Sequence, residues 1–452
     1  MRHYFRLGVV PAYLALCLLL GGASAAGYWV NMLLQLLALP IIGWAVLTRR
    51  RTPMPAASRQ LVALLVLMLL AIGIQLVPLP PSIWTALPGR GEIVEGYRLL
   101  GMPLPWLPIS VVPDLTIASA VWLLPAIAVL LGIVRLGAYR PSWIAFALIV
   151  VTTLAIALGA VQRAGNDTAY FYLITNYGVA TGFFANANHM ATLLVATIPF
   201  VAALYLVARG RSRSPQRLSA LLVVLVGAAG VFVVGIAING SLAGLGLSVP
   251  VLAASGLMLL SLKRRIPSWA PLPLILITLA GIFLIFTKPL GNNLTTVEAR
   301  TSPYSRYTSF SNTYAAAKEY FPTGSGVGSF NTIYPMVEDP TTLTTTYMNH
   351  AHSDLLEITL ETGIAGLAVL ALFLIWWLRR AFAIWRAEEP DQFGRAAVIA
   401  SAAILAHSLV DYPLRTAAIS ATFAACCALM AEPRPSAGPR ERPDGARHLS
   451  AD

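Results

Sequence analysis

The sequence predicts an all-α membrane protein that crosses the bilayer about twelve times. Three observations lead there. The chain of 452 residues is 57% hydrophobic and only 11% charged, with mean hydropathy +0.73, where an ordinary soluble domain carries about 25% charged residues. Apolar runs of helix-spanning length recur from end to end. The Arg and Lys residues that make up the net charge of +12 fall in short clusters between those runs, the pattern that sets membrane topology rather than nucleic-acid binding.

Taken in order, Arg2 and Arg6 precede an apolar run at 7–20 and the small residues Gly21 to Ala26. This reads either as a retained first span or as a leader cut near Ala23-Ser24-Ala25. The charge pattern works best with the first span retained, because a second span, 28–47, follows at once before Arg49-Arg50-Arg51. A third span, 61–77, leads to a Pro- and Gly-rich loop, 78–113, with Trp84 and Trp106 suited to an interface. Spans at 115–134 and 143–161 are separated by Arg135 and Arg140 and followed by a polar loop, 162–187. Spans at 189–207, 218–238 and 242–262 come next, with Arg209 to Arg217 after the first, the turn Asn239-Gly240-Ser241 after the second and Lys263-Arg264-Arg265 after the third. A ninth span is expected at 271–286. The longest polar stretch, 288–354, then precedes spans at 355–378, 396–410 and 416–430. The transmembrane domain is thus 1–430, and the Pro- and Arg-rich tail, 431–452, is expected to be disordered.

With the N-terminus in the cytoplasm, every dense basic cluster falls on the cytoplasmic side and so does the C-terminus. The loops 78–113, 162–187 and 288–354 and the corner at Asp411 then share the outer face. Cys17, Cys426 and Cys427 all lie in apolar runs, so no disulfide framework is implied.

The polar residues gather at that outer face. Asn349-His350-Ala351-His352-Ser353-Asp354 closes the long loop and opens a span carrying Glu357 and Glu361. Ionisable groups at a membrane boundary are costly, so a functional role is the default reading. One imidazole suits a general base, since its ordinary pKa lies near neutrality, with Asp354 or Glu357 orienting the ring. The H-x-H spacing of His350 and His352 also permits a metal site, though no matching ligand set occurs elsewhere. In the long loop, Tyr307, Phe310, Tyr314, Ala317 and Phe321 fall at helical spacing and predict an amphipathic helix at 305–320, lying on the membrane or capping a cavity. Arg300, Arg306 and Lys318 give it a basic side: solvated charges, lipid anchors or, for Arg306 above all, a partner for phosphate. Gly324-Ser325-Gly326-Val327-Gly328 lacks the trailing Lys of a nucleotide loop and better suits a backbone passing close to the tenth span or to substrate. Asn186, Asn188 and His189 open the sixth span, as helix caps or as site residues. His407, Asp411 and Arg415 share the last outer turn, where Asp411 and Arg415 form a structural ion pair or contact substrate.

These residues, in this order, resemble the O-antigen ligase and O-antigen polymerase superfamily of bacterial envelope glycosyltransferases. The elements that carry the likeness are Asn186-Ala187-Asn188-His189, the Gly-Ser turn at 240–241, the Arg-led loop helix, Gly-x-Gly-x-Gly, and His352-Ser353-Asp354-Leu355-Leu356 followed by Glu361-Thr362-Gly363-Ile364-Ala365-Gly366. The resemblance implies a GT-C-like enzyme of the bacterial inner membrane with its site facing the periplasm. Such an enzyme passes a glycan from an undecaprenyl diphosphate carrier to a hydroxyl on lipid A–core or on a growing polysaccharide. It also implies His352 as catalytic histidine, Arg306 as the arginine meeting the diphosphate, and no metal or nucleotide cofactor. Membrane lipid, and proteins that set chain length or export the product, are the further partners to expect. The chain departs from the family where arginines are common, reading Val179 before Thr181-Gly182 and Leu242 after Ser241. Arg415, with Arg300 or Lys318, is then expected to supply the missing charge. The missing arginines and compact outer loops favour exopolysaccharide polymerisation over ligation. The rival readings are a lipid-linked sugar flippase or transporter, which would place its ionisable groups near the midplane, and a non-catalytic assembly protein.

Overall fold

Hydrocarbon offers the backbone no hydrogen-bond partner, so a chain this apolar must satisfy its amides within helices. The computed structural model describes residues 2–24, 28–48, 53–211, 214–260, 276, 306–342 and 348–432. Among them there is no β-strand, only the isolated bridges Gly22–Phe184 and Leu79–Leu107. The ninth span (save residue 276), the cluster 263–265, Arg300 and the tail beyond 432 lie outside the described residues.

The helices are α1 (Arg2–Leu20), α2 (Tyr28–Leu47), α3 (Ala56–Ile74), α4 (Pro81–Trp84), α5 (Gly91–Leu99), α6 (Pro113–Trp122), α7 (Leu124–Val134), α8 (Pro141–Arg163), α9 (Ala187–Arg211), α10 (Pro215–Asn239) and α11 (Leu242–Leu260). After them come α12 (Arg306–Tyr320), α13 (Phe330–Val337), α14 (Asp354–Arg386), α15 (Gln392–His407) and α16 (Ala417–Ala431). Eight helical segments among the described residues are long and apolar enough to cross a membrane, α6 and α7 together forming one. Within α1, Tyr4–Leu20 is apolar but shorter, as is α16. The expected twelve spans are therefore matched in part.

α9 is the best-buried span and packs against α8, α10, α11 and α15. α1 buries Val10, Leu14 and Leu18 in the same core and rests on α8 and α16. α16 presents buried alanines to its neighbours and packs closely on α7, the role small residues play between membrane helices. The two ends of the bundle are closed differently. At one end arginines cap the last carbonyls of helices: Arg380 Nε and Nη2 donate to Met430 O at 2.9 and 2.7 Å, and Arg135 Nε donates to Ala45 O at 3.2 Å. At the other, loops interlock: Ala418 N donates to Gly21 O at 3.0 Å, and Ala185 N to Gly22 O at 3.1 Å.

The second end carries a cap. α12 packs on the start of α14, and Ala316, Tyr320, Phe330, Tyr334 and Leu360 form a small core beneath it. The helix runs where its periodicity predicts, but it buries a different face. Ser309, Thr313, Ala316, Ala317 and Tyr320 are buried, while Tyr314 and Phe321 are exposed. Small residues win because α12 lies close against another helix rather than flat on a surface. Trp84, expected at an interface, is fully buried with its Nε1 donating to Pro105 O at 2.8 Å; Trp106 is exposed.

Two glycine sites make the close packing feasible. Gly326 and Gly328 have positive φ, and their amides donate to the Glu361 carbonyl at 2.9 Å and to Glu361 Oε1 at 2.8 Å. The Val327 amide donates to Gln75 Oε1 at 3.0 Å. This is the close backbone passage read from the sequence, with α14 as the neighbour. Gly363 interrupts α14 at φ 54° and ψ −141°, and a Cβ there would lie 2.0 Å from Pro322 O. Gly363→Ala should therefore destabilise the protein by about 2 kcal/mol or more, visible as a lowered thermal unfolding midpoint in detergent.

Candidate functional site

The site is built on the first two turns of α14. Ser353 caps the helix, its hydroxyl accepting from Leu356 N. Asp354, Glu357 and Glu361 then fall at i, i+3 and i+7 on one buried face. All three converge on Arg415, which sits on the short 3₁₀ turn Pro413–Arg415. Its Nε is 3.4 Å from Asp354 Oδ1, its Nη1 3.4 Å from Glu357 Oε1, and its Nη2 3.2 Å from Glu361 Oε2. Burial alone would lower the Arg415 pKa, but Glu357, Glu361 and Asp354 outweigh it and hold the guanidinium charged. The helix N-terminus adds a favourable field for the carboxylates.

The carboxylates of Glu357 and Glu361, and the backbone of Asp354, each fix a second segment. Glu357 Oε2 accepts from Ala351 N at 3.0 Å and its Oε1 meets His350 Nδ1 at 2.8 Å. Glu361 holds the glycine loop as described. The Asp354 amide donates to Ser408 O at 2.8 Å and so docks α14 on the corner between α15 and α16. Ala351 is pinned at its carbonyl too, by the Ser309 hydroxyl of α12 at 3.1 Å. The two histidines therefore flank a residue held on both sides.

His352 is partly buried and has φ +55°, the one positive φ outside glycine among the described residues. A β-carbon in this region costs about 1–2 kcal/mol, and such strain gathers at functional positions. Its Nδ1 lies 3.1 Å from the His350 carbonyl. A carbonyl can only accept, so Nδ1 carries the proton and Nε2 is the basic nitrogen of the neutral ring.

Tyr412 lies among three imidazoles, its ring centroid 4.4 Å from His350, 5.0 Å from His352 and 4.9 Å from His189. Its hydroxyl donates to Asn349 Oδ1 at 3.2 Å and accepts from Asn186 Nδ2 at 3.5 Å. Burial, with Asp411 adjacent, pushes its phenol well above the usual range, so it stays neutral. Behind it His189 Nε2 is 3.9 Å from Asp411 Oδ1.

Several sequence expectations can now be placed. His350, His352, Asp354, Asn186, His189, Asp411 and Arg415 meet at one end of the bundle. Asn186 does cap α9, its Oδ1 accepting from Asn188 N at 2.8 Å, and Asn188 Oδ1 accepts from the Ser241 hydroxyl at 2.7 Å. The predicted Asp411–Arg415 pair is replaced: Arg415 takes the α14 carboxylates and Asp411 faces His189. Glu357 orients His350, whereas the backbone orients His352. Arg415 does not offer the spare charge expected of it, since three carboxylates already surround it. Lys318 is also remote from the start of its helix, about 18 Å along α12 at 1.5 Å per residue, with Nζ over the Tyr314 ring. Arg306 is the first residue of α12, one turn before Ser309; its side chain lies outside the described part. Among the described residues no group of three or more His, Cys, Asp or Glu is arranged to hold a metal ion. Tyr412 and Asn349 were missed as site residues. Nothing in the local sequence marks Tyr412, whereas the i, i+3, i+7 spacing of the three carboxylates is a signal that could have pointed to a shared cation.

Together these features define a polytopic helical membrane protein with histidines, carboxylates and a guanidinium converging beneath a folded cap. Residues 229–371, from within α10 through the cap into α14, match the family model described as O-antigen ligase. That match supports the resemblance to the O-antigen ligase and polymerase superfamily over this part of the chain. A comparison with curated proteins found no match.

If Arg415 is chiefly a counter-ion, Arg415→Gln leaves buried carboxylates uncompensated and should cost about 3–5 kcal/mol. Thermal unfolding of the purified variant in detergent checks this. A normal midpoint with lost activity would instead mark Arg415 as a substrate contact.

Proposed function

We propose that the protein transfers a glycan from undecaprenyl diphosphate to a sugar hydroxyl, as a polysaccharide polymerase or O-antigen ligase of the bacterial inner membrane. The O-antigen ligase match points to transfer of this kind. In this reading the site faces the periplasm and both termini lie in the cytoplasm, a placement the distribution of basic clusters supports. The observation that carries the chemistry is His352, whose Nδ1–H···O=C bond to His350 leaves Nε2 to act as base.

The acceptor hydroxyl gives its proton to His352 Nε2 as its oxygen bonds to the anomeric carbon of the donor. The bond from that carbon to the diphosphate oxygen breaks, undecaprenyl diphosphate departs with the electron pair, and the anomeric configuration inverts. The carrier is already an activated leaving group, so the enzyme's work is positioning and charge stabilisation. Arg306, at the start of α12 and three residues before the Ser309 that bonds the Ala351 carbonyl, is the residue assigned to the diphosphate. Glu357, His350 and Tyr412 hold the His352 loop in register, and Arg415 holds the carboxylates. No metal or nucleotide takes part.

His352→Ala should lower transfer by about 10²–10⁴-fold at normal protein level, leaving short carrier-linked glycans on the periplasmic side of a null strain complemented with the variant. Polymer of wild-type amount and length from this variant would refute the assignment. His352→Gly should be equally inactive yet about 0.5–1 kcal/mol more stable than His352→Ala, because glycine relieves the positive φ that alanine retains. Paired thermal melts of the two variants read that difference.

A further inference from the structure

The segment between α8 and α9 is polar in sequence, yet it displays large apolar side chains at its surface. Leu173 is 92% exposed, Ile174 69%, Phe171 58% and Tyr177 51%. The segment is firmly held. The Tyr172 hydroxyl donates to Leu20 O at 3.0 Å and accepts from Gly22 N at 3.2 Å. The Thr175 hydroxyl donates to Ala185 O at 2.9 Å, and Asn176 Oδ1 accepts from Ala187 N at 3.0 Å. These anchors flank Asn186, whose side chain reaches Tyr412.

A contiguous apolar patch on a fixed loop calls for a cover, and three observations favour lipid. The patch follows in sequence on α8, whose Phe146, Val150, Leu154 and Val161 form an exposed apolar stripe of the kind lipid covers. Arg163 closes α8 with its Nη1 donating to Gly178 O, leaving an exposed cation beside the patch. Tyr170 and Tyr177 stack edge to face there at 4.9 Å. Cations and aromatic hydroxyls are the groups that favour headgroup depth.

We propose that residues 171–177 form a ledge seated in the membrane leaflet on the site side, with Phe171, Leu173, Ile174 and Tyr177 at the acyl boundary and Arg163 among the headgroup phosphates. The ledge fixes the depth of Asn186 and Tyr412 relative to that leaflet and marks the side on which hydrocarbon comes nearest the site. The inference rests on the membrane-spanning reading of the fold and needs no glycan transfer.

The test is a nitroxide at Leu173→Cys in the full chain, reconstituted in phosphatidylethanolamine–phosphatidylglycerol vesicles. The native Cys17, Cys426 and Cys427 are buried, and the unsubstituted protein reports background labelling. Labels at Leu154→Cys and Lys318→Cys give the hydrocarbon and water references, and Ile174→Cys repeats the reading should the first variant misfold. Collision with oxygen at the Leu154 level, and little with a water-soluble nickel chelate, is the expected result. A label as accessible to nickel as that at Lys318 would overturn the proposal. So would a label shielded from both reagents and broadened by a neighbouring spin, which would assign the patch to a second copy of the chain. The depth reading involves no turnover, so an absence of transferase activity would sink the proposed function and leave this result standing.

Discussion

Asp354, Glu357 and Glu361 would repel one another on their buried helix face without a cation between them. Arg415 supplies it, and the rest of the site depends on that arrangement. A lone buried ion pair is weak support for a fold. Here Glu357 also accepts from the Ala351 amide and meets the His350 imidazole, and Glu361 accepts from the Gly328 amide, so those two are satisfied beyond their ion pairs. The cluster joins α14 to the last turn of the bundle, to the loop bearing the histidines and to the glycine loop of the cap. Removing the cation would therefore loosen three segments together.

The chemistry of the loop follows from that scaffold. Ala351 is clamped at its amide by Glu357 and at its carbonyl by Ser309. The chain must then turn sharply to begin α14, and His352 absorbs the turn in a left-handed conformation. The same geometry orients its ring through the His350 carbonyl. Strain, tautomer and position thus have one origin. Tyr412 packs against both imidazoles from the opposite corner and links them to Asn186, so α9, α14 and the α15–α16 turn act on one small volume. Fixing such groups before substrate arrives is what lowers a barrier in a site that relies on orientation.

Much of this was legible in the sequence because membrane helices announce themselves by length and apolarity. The helix at 305–320, the near approach of the glycine loop to α14, and the Asn186 cap follow from local rules that the tertiary structure respects. What was not legible is pairing at a distance. Arg415 lies four residues from Asp411, and nearness in sequence favours that pair; only packing brings the more distant α14 carboxylates closer. The buried face of α12 was misread because hydrophobic periodicity gives weight to aromatic residues, whereas a close helix contact selects serine, threonine and alanine. Tyr412 carries no local signal at all. Its part comes from three imidazoles delivered by separate elements.

The break at Gly363 divides α14 into two pieces with different loyalties. Above it, two turns bearing the carboxylates are bolted to the cap and the last corner. Below it, the helix answers to other neighbours: Trp376 Nε1 donates to Ala57 O, Trp377 Nε1 to the Ser401 hydroxyl and Arg380 to Met430 O. A membrane-crossing segment adjusts its tilt when the bilayer thickens or thins, and a rigid rod would carry its upper end along. With the helix broken at Gly363 and its two pieces held by different neighbours, a smaller share of that tilt would be passed up to the imidazoles.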